Sequence, residues 1–401
     1  MLSGFSNNRR HSVTFANRLI LYIFIMLLGI VLRAFITHSS TIVWIVNLLG
    51  IFLCFLPCFQ KIRKPIGRDL LLFALISIIT IILNIKYLTA NLKAIGTNIN
   101  ILVLPLFLLI IDYVREDQVL SRSEIINLLH IISVIGIISI LMAWILGSGN
   151  LIRVFIGRLS PYRADIDGFF YGKNIYGSFV SLTIAADLYL YKYSNRRVFV
   201  YIILAKVIAV ILSFSRAALL HSLLLIFVFW WIEKKHKKRD YILLIAIVIG
   251  TILIFSSSSK VQSFVLNSVL RIEVGDAGRA YLRHRAITRA GVNFSTLVFG
   301  VGFAGIDFLH IDIDDTYYYL LFSGGILKIL FYLYYLTNNM KAVVATKIRD
   351  KDLGNLCIAM IVSYLAFAAF ESVALLELGL LNFLFTLFIC IIPQSQRYQL
   401  E

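Results

Sequence analysis

Charge is scarce in this chain. Asp, Glu, Lys and Arg make up 15% of its 401 residues, against about 25% in soluble globular domains, so an ordinary water-soluble fold is excluded. Acidic residues are scarcest, 21 against 38 Lys and Arg, which leaves a formal net charge of +17. There are five prolines, and no tandem repeat, Pro-rich linker or low-complexity tail divides the sequence. It reads as one integral domain, residues 1–401. Cysteine is limited to Cys54, Cys58, Cys357 and Cys390, all inside apolar runs. Cys54 and Cys58 are one helical turn apart, but no His or further Cys stands near enough in sequence to complete a metal site. Neither a disulfide framework, a metal nor a cofactor is implied. A cleavable signal peptide is not expected either, because the first apolar run has no small-residue cleavage site and is long enough to remain as an anchor.

The chain is rich in what a bilayer takes up: 60% hydrophobic residues and a mean hydropathy of +0.89. Apolar runs of bilayer-spanning length, about 17–25 residues, fall near 18–36, 41–59, 69–85, 97–114, 124–146, 172–191, 197–213, 216–232, 240–256, 317–336, 354–375 and 377–394. The expected fold is an all-α polytopic membrane protein with about twelve transmembrane helices.

Short cytoplasmic loops collect Lys and Arg. One alternating set of segments does so: Arg9, Arg10 and Arg18; Lys61, Arg63, Lys64 and Arg68; Arg115 and Arg122; Lys192, Arg196 and Arg197; the basic run from Glu233 to Asp240; Lys341, Lys347, Arg349 and Lys351; and Arg397. Both termini are therefore expected in the cytoplasm. The positive charge is explained by anionic lipid beside these turns, and nucleic-acid binding is not expected. Two longer elaborations fall on the opposite side. The smaller, 147–172, opens with Gly147-Ser-Gly-Asn150, read as a helix-ending turn. The larger, 256–317, begins with four serines and carries Arg271, Arg279, Arg283, Arg285 and Arg289 with Asp307, Asp312, Asp314 and Asp315. Arg279 and Arg283 would share one face of a helix.

Four short motifs occur in order: Tyr171-Gly-Lys-Asn-Ile-Tyr-Gly177; Ser213-Phe-Ser-Arg-Ala-Ala218; Arg279-Ala-Tyr-Leu-Arg283 followed by Leu297-Val-Phe-Gly-Val-Gly302; and Asp314-Asp-Thr-Tyr-Tyr-Tyr-Leu with Gly325 beyond. Over residues 150–340 they make the chain resemble the O-antigen and capsule repeat-unit polymerases and O-antigen ligases. That resemblance implies a GT-C-like membrane fold in the bacterial cytoplasmic (inner) membrane. It also implies inverting, metal-independent glycosyltransfer at the outer face from a polyprenyl-diphosphate-linked oligosaccharide donor to a lipid-linked acceptor. A chain-length regulator is implied as a partner. Ligases of the family carry His where this chain has Asp314, and the nearest histidine, His310, is four residues early. This difference favours a polymerase.

The residue chemistry agrees. A departing diphosphate gathers negative charge, which guanidinium groups stabilise by bidentate contact, and Arg216, Arg279 and Arg283 are the candidates. The acceptor hydroxyl needs a base, and Asp314 or Asp315 is the candidate. Asp315 stands where the family has Asn, so the choice between the two stays open. Lys173, Asn174, Tyr317 and Glu371 are further substrate-binding candidates, with Glu371 placed in the outward half of the span 354–375. Structural roles compete at each position. The two aspartates suit a helix N-cap, Gly300 and Gly302 suit a turn, and Lys173 and Asn174 suit an interfacial anchor. Among charges within spans, Arg33 and Lys206 are expected to reach toward the interface, while Lys328 is deep enough to need an acid or a cavity. A secondary transporter or lipid-linked oligosaccharide flippase and a non-enzymatic envelope scaffold are the alternatives of other classes.

Overall fold

The computed structural model describes residues 14–37, 40–59, 67–90, 94–116, 120–156, 158, 167–170, 172–233, 277–291, 293–311, 313, 315–377 and 379–397. Among them the chain is all-helical, 86% helix with no strand. The helices are α1 (Phe15–Leu32), continued by a π-helical turn Arg33–Thr37, α2 (Ser40–Phe59), α3 (Arg68–Leu83), α4 (Ile85–Ala90), α5 (Ala94–Glu116), α6 (Arg122–Phe155), α7 (Lys173–Ser194), α8 (Val198–Leu212) and α9 (Arg216–Ile232). Then follow α10 (Ala277–Ala290), α11 (Phe294–Phe299), α12 (Gly302–Phe308), α13 (Thr316–Arg349), α14 (Lys351–Phe367), α15 (Leu380–Thr386), a π-helical turn Leu387–Ile391 and α16 (Ile392–Arg397). Four stretches, Phe15–Ile36, Thr41–Phe59, Arg122–Asn150 and Thr316–Arg349, are long and apolar enough to cross a membrane. This fits an α-helical membrane protein. The apolar run 240–256, the serine-rich start of the larger loop and Arg271 lie outside the described residues.

Local chemistry sets the helix starts. Ser121 and Glu124 form a reciprocal capping box at α6, and Thr14, Ser215 and Asp350 cap α1, α9 and α14 with side-chain oxygens, each satisfying an orphan amide of the first turn. The bundle is organised around α7, buried without interruption from Tyr176 to Tyr191 and packed against α6, α8, α9, α14 and α15. The C-terminal stretch 380–396 is buried apart from the half-buried Asn382, with the Phe383 ring edge-on to Tyr22 at 4.8 Å. Large apolar side chains such as Leu53, Ile145 and Ile348 instead face outward, as a lipid-facing surface requires.

Three sequence expectations change. Gly147-Ser-Gly-Asn150 does not end a helix, because α6 continues through it to Phe155. A helical glycine costs only roughly 1 kcal/mol, and Val154 beyond the cluster is buried. Lys206 does not reach an interface: it is fully buried and ion-paired with Asp187 of α7, while Ser133 donates to the same carboxylate. The run 354–375 is not one helix, since α14 stops at Phe367 and residues 368–377 form turns, bends and irregular backbone. Hydroxyl groups from elsewhere make this possible. Thr316 Oγ1 donates to the Glu371 carbonyl at 2.7 Å and accepts from the Val373 amide at 2.9 Å, Tyr364 and Tyr332 donate to the carbonyls of Val373 and Leu375, and Thr386 accepts from the Leu376 amide. Irregular backbone persists at membrane depth only when its polar groups are satisfied within the protein in this way.

Candidate functional site

The head of α13 gathers most of the chemistry. Asp315 is its N-cap: Oδ1 accepts from the Tyr318 amide at 2.8 Å, and Oδ2 accepts from Arg283 Nε at 3.1 Å. Asp315 is buried and Arg283 one-third exposed, with the guanidinium 5.3 Å over the Tyr318 ring. The expected helix across the arginines is present as α10, so Arg279 stands one turn before Arg283. Arg289, further along α10, donates to the carbonyls of Leu309 and His310 and ties the chain leading into α13. Tyr317 is exposed, and its hydroxyl donates to the Leu365 carbonyl.

Below this cap α13 is broken. Gly325 has φ 70° and ψ −168°, a conformation that only glycine adopts without strain. Gly300, at the end of α11, lies against the break, and the Val301 amide donates to the Phe322 carbonyl at 2.7 Å. A Cβ at Gly325 would overlap the Val298 carbonyl, and one at Gly300 the Phe322 carbonyl. The glycines of the third and fourth motifs therefore meet backbone to backbone. The first two motifs also meet: a Cβ on Gly177 of α7 would collide with Ser213, in the turn that Phe214 closes at φ 55° before Arg216 opens α9.

Beside the head of α13 lies a cavity of about 440 Å³, walled by α1, α2, α7, α13, the non-helical segment 368–377 and the start of α15. Asn174, Glu371, Glu377, Tyr319 and Arg33 reach it. Tyr319 donates to Glu377 Oε2 at 3.0 Å, and Lys328 binds Glu377 Oε1 at 3.3 Å and Ser323 at 2.9 Å. Lys328 thus has its acid, Glu377.

No protein-family model, curated protein or solved structure matches this chain.

Of the residues expected to act, Asn174 and Glu371 line the cavity and Arg283 and Asp315 form a pair one turn from Tyr319. Lys173 opens α7 and Arg216 opens α9, neither among the cavity-lining residues. Asp314 lies outside the described residues, as does Asp312. Glu371 occupies the unwound segment, not a helix. Among the described residues no three His, Cys, Asp or Glu side chains gather as a metal site, and the four cysteines are buried thiols. Sequence reasoning missed Glu377 and Asn47. The signal for Glu377 was Lys328 itself, since a lysine deep in an apolar helix requires a carboxylate at its own level.

Proposed function

We propose that this protein is a multi-pass enzyme of the bacterial cytoplasmic membrane, with about twelve spans and both termini cytoplasmic. It joins polyprenyl-diphosphate-linked oligosaccharide repeat units into a surface polysaccharide. Among the described residues helices lie over the apolar runs, with the run 354–375 helical as far as Phe367, and this supports the polytopic reading. The observation that carries the function is the juxtaposition, at the head of α13, of an arginine-bearing helix with a carboxylate-lined cavity of about 440 Å³.

In this reading the acceptor sugar hydroxyl attacks the anomeric carbon of the growing chain. The new glycosidic C–O bond forms as the bond to the diphosphate oxygen breaks, the hydroxyl proton passes to a carboxylate, and configuration inverts. Arg216, Arg279 and Arg283 hold the departing diphosphate. Asp315 already serves the Tyr318 amide and Arg283, so it suits positioning the arginine, and Asp314 is the preferred base. Lys173, Asn174, Tyr317 and Glu371 contact substrate. A chain-length regulator remains the expected protein partner.

The test is polymer-ladder formation from lipid-linked repeat units by purified protein in nanodiscs, with EDTA present. Wild type forms ladders, and Asp314→Asn and Arg216→Ala lose them. Ladders that persist in both variants would remove the site assignment. A lipid-linked oligosaccharide flippase is the second reading. The broken helix at Gly325 and the unwound segment 368–377 favour it, because transporters bind substrates at discontinuous helices. Translocation of labelled lipid across proteoliposomes without ladder formation would select that reading.

A further inference from the structure

Asn47 of α2 lines the cavity and is 2% exposed, and its side-chain oxygen has no hydrogen-bond partner among the described residues. A buried acceptor left in this state costs about 1–3 kcal/mol, so its place in the wall calls for a donor brought by a ligand. The rest of the wall is polar and aromatic as well. Glu371 and Glu377 add carboxylate oxygens and Asn174 an amide, while Trp44 and Tyr319 contribute aromatic rings. Formal charge is close to balanced, because Arg33 in the wall and Lys328 bound to Glu377 offset the two acids.

A diphosphate, all acceptor and strongly anionic, has no donor for Asn47 and would meet two carboxylates. An acyl chain would leave the Asn47 oxygen unsatisfied. A volume of about 440 Å³ lies in the range of small-molecule sites, roughly 300–1,000 Å³. We infer that the cavity binds an uncharged, hydroxyl-bearing sugar residue, with Asn47 accepting from a sugar hydroxyl and Trp44 packing against the ring. Its assignment as the acceptor subsite rests on the polymerase reading, whereas the binding rests on the cavity alone.

The experiment uses the full chain in nanodiscs with Trp144, Trp230 and Trp231 replaced by Phe, so that Trp44 is the sole tryptophan. Its fluorescence is titrated with the methyl glycosides of glucose, galactose and N-acetylglucosamine. At least one glycoside gives a saturable change. Asn47→Leu weakens that binding at least about tenfold. Asn174→Ala, at an exposed position of the wall where folding is not at stake, weakens it by a smaller factor. The inference is overturned if no glycoside changes the signal, if both variants bind as the parent does, or if sodium chloride produces the saturable change and the glycosides do not. Glycoside binding by a protein that forms no ladders would sink the polymerase reading and keep the sugar site. Ladders without glycoside binding would do the reverse.

Discussion

Replacing Lys328 by Met leaves Glu377 buried with one donor among the described residues, the Tyr319 hydroxyl, and without its ion-pair partner. Both members of the pair are 4% exposed, so solvent screens neither. Removing one partner of such a pair costs about 3–5 kcal/mol, while replacing both together is often near neutral. The structure supports the upper part of that range. Lys328 bonds to Ser323 and Glu377 and lies 5.4 Å over the Tyr319 ring, and it stands directly after the Gly325 break, where the helix has already lost continuity. Lys328→Met and Glu377→Gln should each lower the temperature at which the detergent-solubilised protein loses its monodisperse peak by on the order of 10 °C. The double variant should recover most of that loss. The difference is the coupling energy of the pair, expected at several kcal/mol and far above the roughly 0.3–0.5 kcal/mol scatter of independent sites. Losses that simply add in the double variant would refute the claim that this pair holds the cavity wall to α13.

Asp315→Asn keeps a good N-cap and loses only the ion pair, so stability should fall by less than about 1 kcal/mol, whereas Asp315→Ala loses the cap as well and about 1 kcal/mol more. Ranking the two by thermal unfolding checks this. Gly325→Ala should abolish folded yield in size-exclusion chromatography, since the added Cβ overlaps the Val298 carbonyl. Gly149→Ala, which meets nothing within 4 Å, should be neutral or stabilising by up to about 1 kcal/mol. Burial, with Glu233 and Asp350 adding to it, raises the Asp352 pKa above its ordinary value. A raised carboxylate pKa stabilises the protein when protonated, and the contribution fades as pH climbs from about 4 through the raised value. Asp352→Asn should therefore be relatively more stable than wild type at pH 7 than at pH 4, and a stability gap independent of pH would count against this account.

Capping and glycine positions were legible in the sequence where the cause is local. Asp315 before Thr316, and helical spacing from Arg279 to Arg289, are short-range signals, and both elements are present. What was illegible depends on partners far along the chain. Hydropathy could not distinguish a helix from unwound chain in the bundle interior over 368–377, because it scores side chains and not backbone amides. The hydroxyls that free this segment from helical bonding come from Thr316, Tyr332, Tyr364 and Thr386. Gly300 and Gly325 were each visible as glycines, yet nothing in their spacing announces that they touch. The role of Asn47 depends on neighbours drawn from α1, α7 and α13, and a lone Asn in an apolar run carries no such signal.

The buried pair of Asp187 and Lys206 bears on how the chain is made. On the twelve-span reading, each charge faces a penalty of about 2.5–3.5 kcal/mol if its helix enters lipid alone. The three residues between α7 and α8 allow the two to meet within one hairpin. The nascent chain should thus hold α7 at the translocon until α8 has emerged and deliver both to the bilayer together, with the ion pair already closed.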